Sequence, residues 1–282
     1  VLHVHMTAAE VAVTLAGVSR RLPPVVSTRH FAGARGHGPG GRLVAAVARR
    51  RVVAQIAISA YVAAHVEGPS TVVHPGLDPR PDARPASGRE PVVLAVQRLE
   101  PEKRTDVAVR AFAASRLAEQ GWRLRVAGAG SQAPALRELA AGLGVGGAVD
   151  LLGARHDVED LMAAASLLLA PCPVEGLGLT VLEAMANGLP VVAADAGGHR
   201  ETLAGLDPLA LHEPLDATGA GSHLTTLAAD PARRDAYARA AQARQRTVFT
   251  VDRQAAATDA VYRAAIGAPA TTPATTLLEE PG

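Results

Sequence analysis

The sequence predicts an α/β protein with two parallel-sheet domains in tandem. Two observations lead there. Short apolar strands alternate with helices along the 282 residues, and a proline-rich stretch interrupts the alternation. In order, Leu2–His5, Val25–Thr28, Ile56–Ser59 and Thr71–His74 read as short buried strands. A helix from Ala8 to Arg20 lies between the first two, and a helix near Arg42–Val53 leads to the third. Pro79 to Gly88 then breaks the pattern with proline and charge and reads as a linker. Strands follow at Val92–Val96, Leu124–Ala127, Val149–Leu152, Leu167–Ala170, Val191–Ala194 and Leu209–His212. Helices separate them, among them Thr105–Ala118 and Gln132–Gly142, and Pro231–Arg246 and Asp252–Ile266 close the fold. The expected boundaries are a first domain over 1–78, a linker over 79–90, a second domain over 91–266 and a disordered Ala/Thr/Pro-rich tail over 267–282.

Composition excludes several function classes. The net charge of +1 gives no reason to expect nucleic acid. Cys172 is the single cysteine, so no internal disulfide can form, and a reducing, cytoplasmic setting is expected. As a residue it reads as a small buried apolar group rather than a nucleophile. No apolar run approaches the roughly twenty residues that span a bilayer.

The segment from Glu175 to Glu183 carries the most chemistry. Glu175 opens a loop containing Gly176, Leu177, Gly178 and Leu179, the loop enters a short apolar helix, and Glu183 stands two turns on. Asn187-Gly188 and then Pro190 stop that helix. Such loops present backbone N–H groups at a helix N-terminus, where the partial positive charge favours phosphate. Carboxylates cannot bind phosphate, but they accept hydrogen bonds from hydroxyl pairs. The segment therefore suits a ligand that is both phosphorylated and polyhydroxylated, such as a sugar nucleotide. Lys103, the only lysine in the chain, lies with Arg98 just past the strand ending at Val96. Open α/β sheets bind ligands at this end of their strands. The plainer reading of the pair is a solvated loop charge.

On Arg98-Leu-Glu-Pro-Glu-Lys103, Val126-Ala-Gly128-Ala-Gly130, Leu151-Leu-Gly153, Glu175 through Gly188 and Pro190 through Gly198, the stretch from Pro91 to Leu203 resembles the donor-binding domain of family 4 glycosyltransferases. These are retaining enzymes of the GT-B fold, with two Rossmann-like domains. The resemblance implies that Arg98 and Lys103 hold a donor diphosphate, Glu175 contacts sugar hydroxyls and Glu183 contacts the ribose. It places Gly128 and Gly130 near the donor and Gly153 beside the nucleobase. No cofactor is expected, and no metal either, because the two cations suffice in its place and no carboxylate cluster suggests magnesium. The donor would be a UDP-, GDP- or ADP-sugar, and the acceptor a carbohydrate, lipid or small molecule, with room for peripheral membrane association. The family has glycine where Gln97 and Arg104 stand, and Gln97 would crowd the phosphate. Val1 to His5 resembles a strand from the middle of the family's first domain. The expectation is thus a first domain lacking strands, N-terminally incomplete or begun late, and inactive or poorly soluble alone.

Histidines complete the candidates. His30 follows the second strand, and the resemblance places it across the cleft from the donor; a polar loop residue is the plainer reading. His3 and His5 form an H-x-H that also occurs in metal-dependent barrel hydrolases, a rival reading that finds no third and fourth ligand at recognisable spacing. A non-catalytic nucleotide-sugar-binding fragment is the other alternative. His199-Arg200-Glu201 opens a helix after Gly197-Gly198 and reads equally as helix-start chemistry or as a neighbour of the sugar. The G-x-G at Gly128 lacks the third glycine of a dinucleotide fingerprint, where Ala133 stands, which disfavours a nicotinamide enzyme.

Overall fold

The computed structural model describes residues 1–17, 22–36 and 38–267. The predicted helix end at Arg20 and the predicted tail beyond Gly267 lie outside those residues. The first sheet is parallel, in the order β1 (Leu2–His5), β2 (Val25–Arg29), β3 (Val52–Ala57), β4 (Thr71–Val72). Helices α1 (Met6–Ala16), α2 (Gly38–Arg49) and α3 (Ala60–Ala64) connect these strands. The largest differences from expectation lie between the second and third strands. The helix ends at Arg49 and the third strand starts at Val52, four residues before Ile56. Val53 is exposed while Gln55 is buried, so β3 inverts the usual pattern. Gln55 is held there by hydrogen bonds to Arg35, the Glu67 carbonyl and Ser70.

The second sheet comprises β5 (Glu90–Val96), β6 (Arg123–Ala127), β7 (Val149–Gly153), β8 (Ala165–Ala170), β9 (Val191–Ala194) and β10 (Leu211–His212). Helices α4 (Thr105–Ser115), α5 (Ala133–Gly142), α6 (Val158–Ala164), α7 (Leu179–Ala186), α8 (His199–Thr202) and α9 (Ala217–Ala229) alternate with and follow them. The helix expected to reach Ala118 stops at Ser115 because Arg116 turns left-handed, with φ 56°. Strand order is β10-β9-β8-β5-β6-β7. The chain runs outward from β5 to β7 on one side, then returns to lay β8, β9 and β10 on the other. The order therefore reverses between β5 and β8, which pair through Val93 and Leu167. A reversal of this kind opens a crevice at the carboxyl ends of the two strands.

The core is leucine and valine packed between sheet and helices: Leu94, Leu124, Leu167, Leu168, Leu169, Leu177 and Leu182 are all fully buried. Each such side chain contributes roughly 1.5–3 kcal/mol by leaving water. After α10 (Pro231–Val248) the chain crosses back, and α11 (Val251–Ala265) packs Val261 against Val26, Ile56 and Val73 of the first domain. The outgoing linker meets this return: the Leu77 amide donates to the Phe249 carbonyl at 3.0 Å. At Gly76 a Cβ would stand 2.1 Å from the Thr250 carbonyl oxygen, so only glycine permits the crossing.

Candidate donor site at the sheet crossover

The loop after β8 is pinned by its carbonyls. The Glu175 carbonyl accepts from the Gly198 amide at 2.9 Å, that of Gly176 from Ser59 Oγ at 2.6 Å, and that of Leu177 from Thr202 Oγ1 at 2.8 Å. The Gly178 carbonyl accepts from Val181 and Leu182 of α7. Among the described residues, no group accepts from the amides of Gly176, Leu177, Gly178, Leu179 or Thr180. Four successive carbonyls are thus satisfied by protein, and the amides at the start of α7 remain for a ligand. Two glycines make the shape possible. Gly178 has φ +90°, and a Cβ on Gly176 would stand 2.7 Å from the His30 carbonyl oxygen of the first domain.

The facing loop follows β5. Leu99, 1% exposed, anchors it in the core. Its amide donates to the Ala129 carbonyl at 2.9 Å, and the Gln97 amide donates to that of Ala127 at 3.1 Å. The Gln97 side chain is drawn into its own loop, donating to the Lys103 carbonyl and to Thr105 Oγ1. Arg104, where the resemblance has glycine, adopts φ 54°, and its guanidinium pairs with Asp106. A Cβ on Gly128 would fall 1.8 Å from the Gln97 carbonyl oxygen, and one on Gly130 would fall 2.4 Å from that of Leu99. The two glycines let the loop after β6 back the cation loop. Gly153 has φ +71° and its carbonyl accepts from the Gly128 amide at 2.8 Å. Gly128 and Gly130 thus back the cation loop, and none of the three glycines lines the cavities described next.

Lys103 and Glu175 meet across the crevice, with Nζ 2.7 Å from Oε2. Burial works against the ammonium, but the Glu175 hydrogen bond and charge prevail and hold its pKa above the ordinary lysine value. Both line a cavity of about 240 Å³ together with Arg98, Gly178, Leu179 and His199. Arg98 is mostly exposed and pairs with Glu102. Glu183 opens instead on a neighbouring cavity of about 320 Å³, lined by Arg80, Val158, Glu159 and Met162, and the two cavities share Val96 as a wall. Burial raises the Glu183 pKa, with Arg80 opposing.

On the first-domain side, His30 Nε2 lies 2.8 Å from His5 Nδ1. Burial lowers the His30 pKa, and the neighbouring His5 lowers it further. His3 is held between Tyr262 Oη at 2.6 Å and Thr28 Oγ1 at 2.7 Å. Among the described residues, no three His, Cys, Asp or Glu side chains gather as a metal-binding set. Two contacts that sequence reasoning missed tie the domains together. Ser59 caps α3 by accepting from the Val62 amide at 2.9 Å while donating to Gly176. Glu201 of α8 accepts from the amides of Ala60 and Tyr61 at 2.9 and 2.7 Å and lies 3.0 Å from His74 Nε2. Ser59 carried a usable signal as an N-cap residue before an apolar run. Glu201 carried none, because its partners lie more than a hundred residues away.

Two Rossmann-like parallel-sheet domains joined by a C-terminal return are the GT-B fold. Solved structures share it: HepE of Anabaena in complex with UDP superposes with a TM-score of 0.76 at 22% identity over 93% of this chain and 78% of that one. TarM of S. aureus, in a mutant complex containing UDP, gives 0.76 at 13% identity over 88% and 52%. The sequence profile of the family described as Glycosyl transferases group 1 matches residues 80–244, and the chain belongs to that family. It is similar to LpsB, a lipopolysaccharide core biosynthesis mannosyltransferase of Rhizobium meliloti, with 33% identity over 55% of this chain and 49% of the relative. It is also similar to a GDP-mannose-dependent α-(1-6)-phosphatidylinositol monomannoside mannosyltransferase of Mycolicibacterium smegmatis, with 30% identity over 73% and 62%. The chain spans about half to three-fifths of these relatives' lengths.

Proposed function

We propose that the chain carries the donor site of a retaining, metal-independent glycosyltransferase that moves a sugar from a nucleoside diphosphate to an acceptor hydroxyl. The observation that carries this reading is the crossover cavity, where Lys103, Glu175 and the unengaged amides of Gly178 to Thr180 converge. The amides and Lys103, with Arg98 swinging in from solvent, bind the diphosphate. Glu175 accepts from sugar hydroxyls, Glu183 accepts from the ribose across Val96, and His30 faces the sugar from the first domain. As the bond from the anomeric carbon to the phosphate oxygen breaks, negative charge grows on that oxygen, and preorganised donors stabilise it more than the ground state. The acceptor oxygen bonds to the same face of the carbon, and its proton passes to the departing phosphate. This front-side course accounts for retention without a protein nucleophile.

The relatives' names and the solved complexes supply candidate donors, GDP-mannose for one relative and UDP-glucose for HepE, whose structure and that of TarM also hold UDP. The acceptor is a carbohydrate, lipid or small-molecule hydroxyl, with action in the cytoplasm and a membrane surface within reach. Among the described residues, no helix is long and apolar enough to cross a membrane. A thermal-shift panel of UDP-, GDP- and ADP-sugars tests the reading. One donor at a hundred times its Kd adds about 2.7 kcal/mol, which raises Tm by roughly 5–10 °C for a chain of this size. A flat panel would remove the donor site.

A further inference from the structure

His199 has no part in the reading above, yet its ring is built into the same cavity. Gly197 and Gly198 bring it there. A Cβ on Gly197 would stand 2.3 Å from the Glu175 carbonyl oxygen, and one on Gly198 would stand 2.4 Å from the Leu177 Cα. The start of α8 therefore lies directly on the donor loop, and Thr202 Oγ1 fastens it by donating to the Leu177 carbonyl. His199 is 1% exposed, and it lines the cavity beside Lys103 and Glu175.

The hydrogen bonding of the ring fixes its character. Nδ1 lies 3.1 Å from the Ala194 carbonyl oxygen. A carbonyl only accepts, so Nδ1 carries the proton, and Nε2 of the neutral ring is a bare acceptor. Burial lowers the His199 pKa, against the opposing effects of the Ala194 bond and the Glu175 charge, and so keeps the ring neutral. Nε2 lies against Gly178, 3.2 Å from where a Cβ there would be. Gly178 leaves that side of the ring uncovered. Among the described residues, no group hydrogen-bonds Nε2. Unlike the sealed Nε2 of His212, this nitrogen is not shut off from the cavity, and a donor can reach it there.

The chemistry of that donor follows from the two sides of the cavity. Phosphate oxygens are acceptors and are repelled by an unprotonated ring nitrogen; their partners are Lys103 and the α7 amides. A hydroxyl group donates, and Glu175 already supplies one acceptor for such groups. We infer that His199 Nε2 accepts a hydrogen bond from a hydroxyl of the transferred sugar, making His199 a residue that selects donors by that hydroxyl. The inference rests on the donor-site reading and adds a second sugar acceptor to it.

Two substitutions separate this role from a structural one. His199→Asn keeps an amide donor toward the Ala194 carbonyl and leaves nothing at the Nε2 position. His199→Gln places an amide oxygen at that distance from the backbone. Calorimetric Kd values are measured for the nucleoside diphosphate sugar that stabilises the unmutated chain most and for the same nucleoside diphosphate alone. His199→Asn should weaken the sugar nucleotide about tenfold while changing the bare diphosphate less than twofold, and His199→Gln should recover most of the loss. Equal loss for both ligands, or no loss for either, would overturn the inference.

Should His199→Asn fail to fold, a series of singly deoxygenated donors on the unmutated chain decides the matter. Two ring positions should each show a loss, of which only one disappears in Glu175→Gln. A single Glu175-dependent position would overturn it. An unmutated chain that binds neither ligand brings down the donor-site reading and this inference with it. Binding of both ligands that is insensitive to residue 199 brings down this inference alone.

Discussion

The two walls of the cleft are made in opposite ways. On the second-domain side the donor loop is held by an apolar core beneath it and by saturated carbonyls, so its free amides keep one shape. On the first-domain side a buried charge network does the holding. Arg35 bonds Glu10 at 2.6 and 2.8 Å with both side chains almost fully buried, Ser27 donates to Glu10, and Glu67 accepts from the Arg35 amide and from Arg29. Phe31 and Met6 stand exposed near His30. The contrast indicates where each kind of damage should appear. Polar lesions in the first domain should cost folding, and lesions at the donor loop should cost chemistry.

The comparison breaks most sharply at Glu10. Its replacement by Ala takes the nearer carboxylate from a buried guanidinium that keeps only Gln55 and the more distant Glu67, and loss of one partner of a buried pair costs up to about 3–5 kcal/mol. Denaturant melts should report this as loss of first-domain structure; an unchanged midpoint would refute the contrast. Lys103→Ala should do the reverse. Stability should hold while turnover falls about 10²–10³-fold, the range for removing a preorganised donor from a developing oxyanion. Steady-state rates with nucleotide affinity measured in parallel test it, and unchanged turnover would take Lys103 out of the chemistry.

Glu201→Gln probes the seam between the walls, with an expected cost of about 1–2 kcal/mol. Burial works against the Glu201 carboxylate, but His74 and the amides of Ala60 and Tyr61 outweigh it and hold its pKa below the ordinary value. A depressed carboxylate stabilises the fold above the unfolded-state value, about 4.3, and that stability is lost as pH falls through the folded one. Urea melts from neutral pH down to about pH 3 should therefore show a shallower acid limb in the variant; matching limbs would argue against the contact. The smallest effect is expected at Arg104, left-handed at φ 54°. A left-handed residue with a side chain costs roughly 1–2 kcal/mol. Arg104→Gly relieves this, offset by glycine's greater freedom when unfolded and by loss of the Asp106 pair, for a net gain of under about 1 kcal/mol. A lower melting temperature would contradict it.

Much of this was legible in the sequence because buried parallel strands are written as apolar runs. Leu167–Ala170 and Val191–Ala194 needed nothing else. β3 was misplaced because Gln55 interrupts the run, and its burial depends on partners that no periodicity displays. α9 hid behind Gly219 and Gly221; a Cβ at Gly221 would stand 2.8 Å from the Ala111 carbonyl oxygen, so the glycine serves the packing of α9 on α4. At the site, motif spacing brought Arg98, Lys103 and Glu175 to one cavity and set Glu183 in the next. The interdomain contacts of Ser59 and Glu201 could not be read in the same way, and His199 was legible only as one of two equal readings. Their roles arise where segments distant in the chain meet, and their own neighbours in sequence carry no trace of the meeting.

The central claim is that the crossover cavity grips a diphosphate. Calorimetric titration of the chain with the nucleoside diphosphate of its best donor, and with the matching nucleoside, tests it most directly. The diphosphate should bind at least about a hundredfold more tightly, a difference near 2.7 kcal/mol, and Lys103→Ala should narrow the gap. Equal binding of nucleoside and diphosphate would contradict the account.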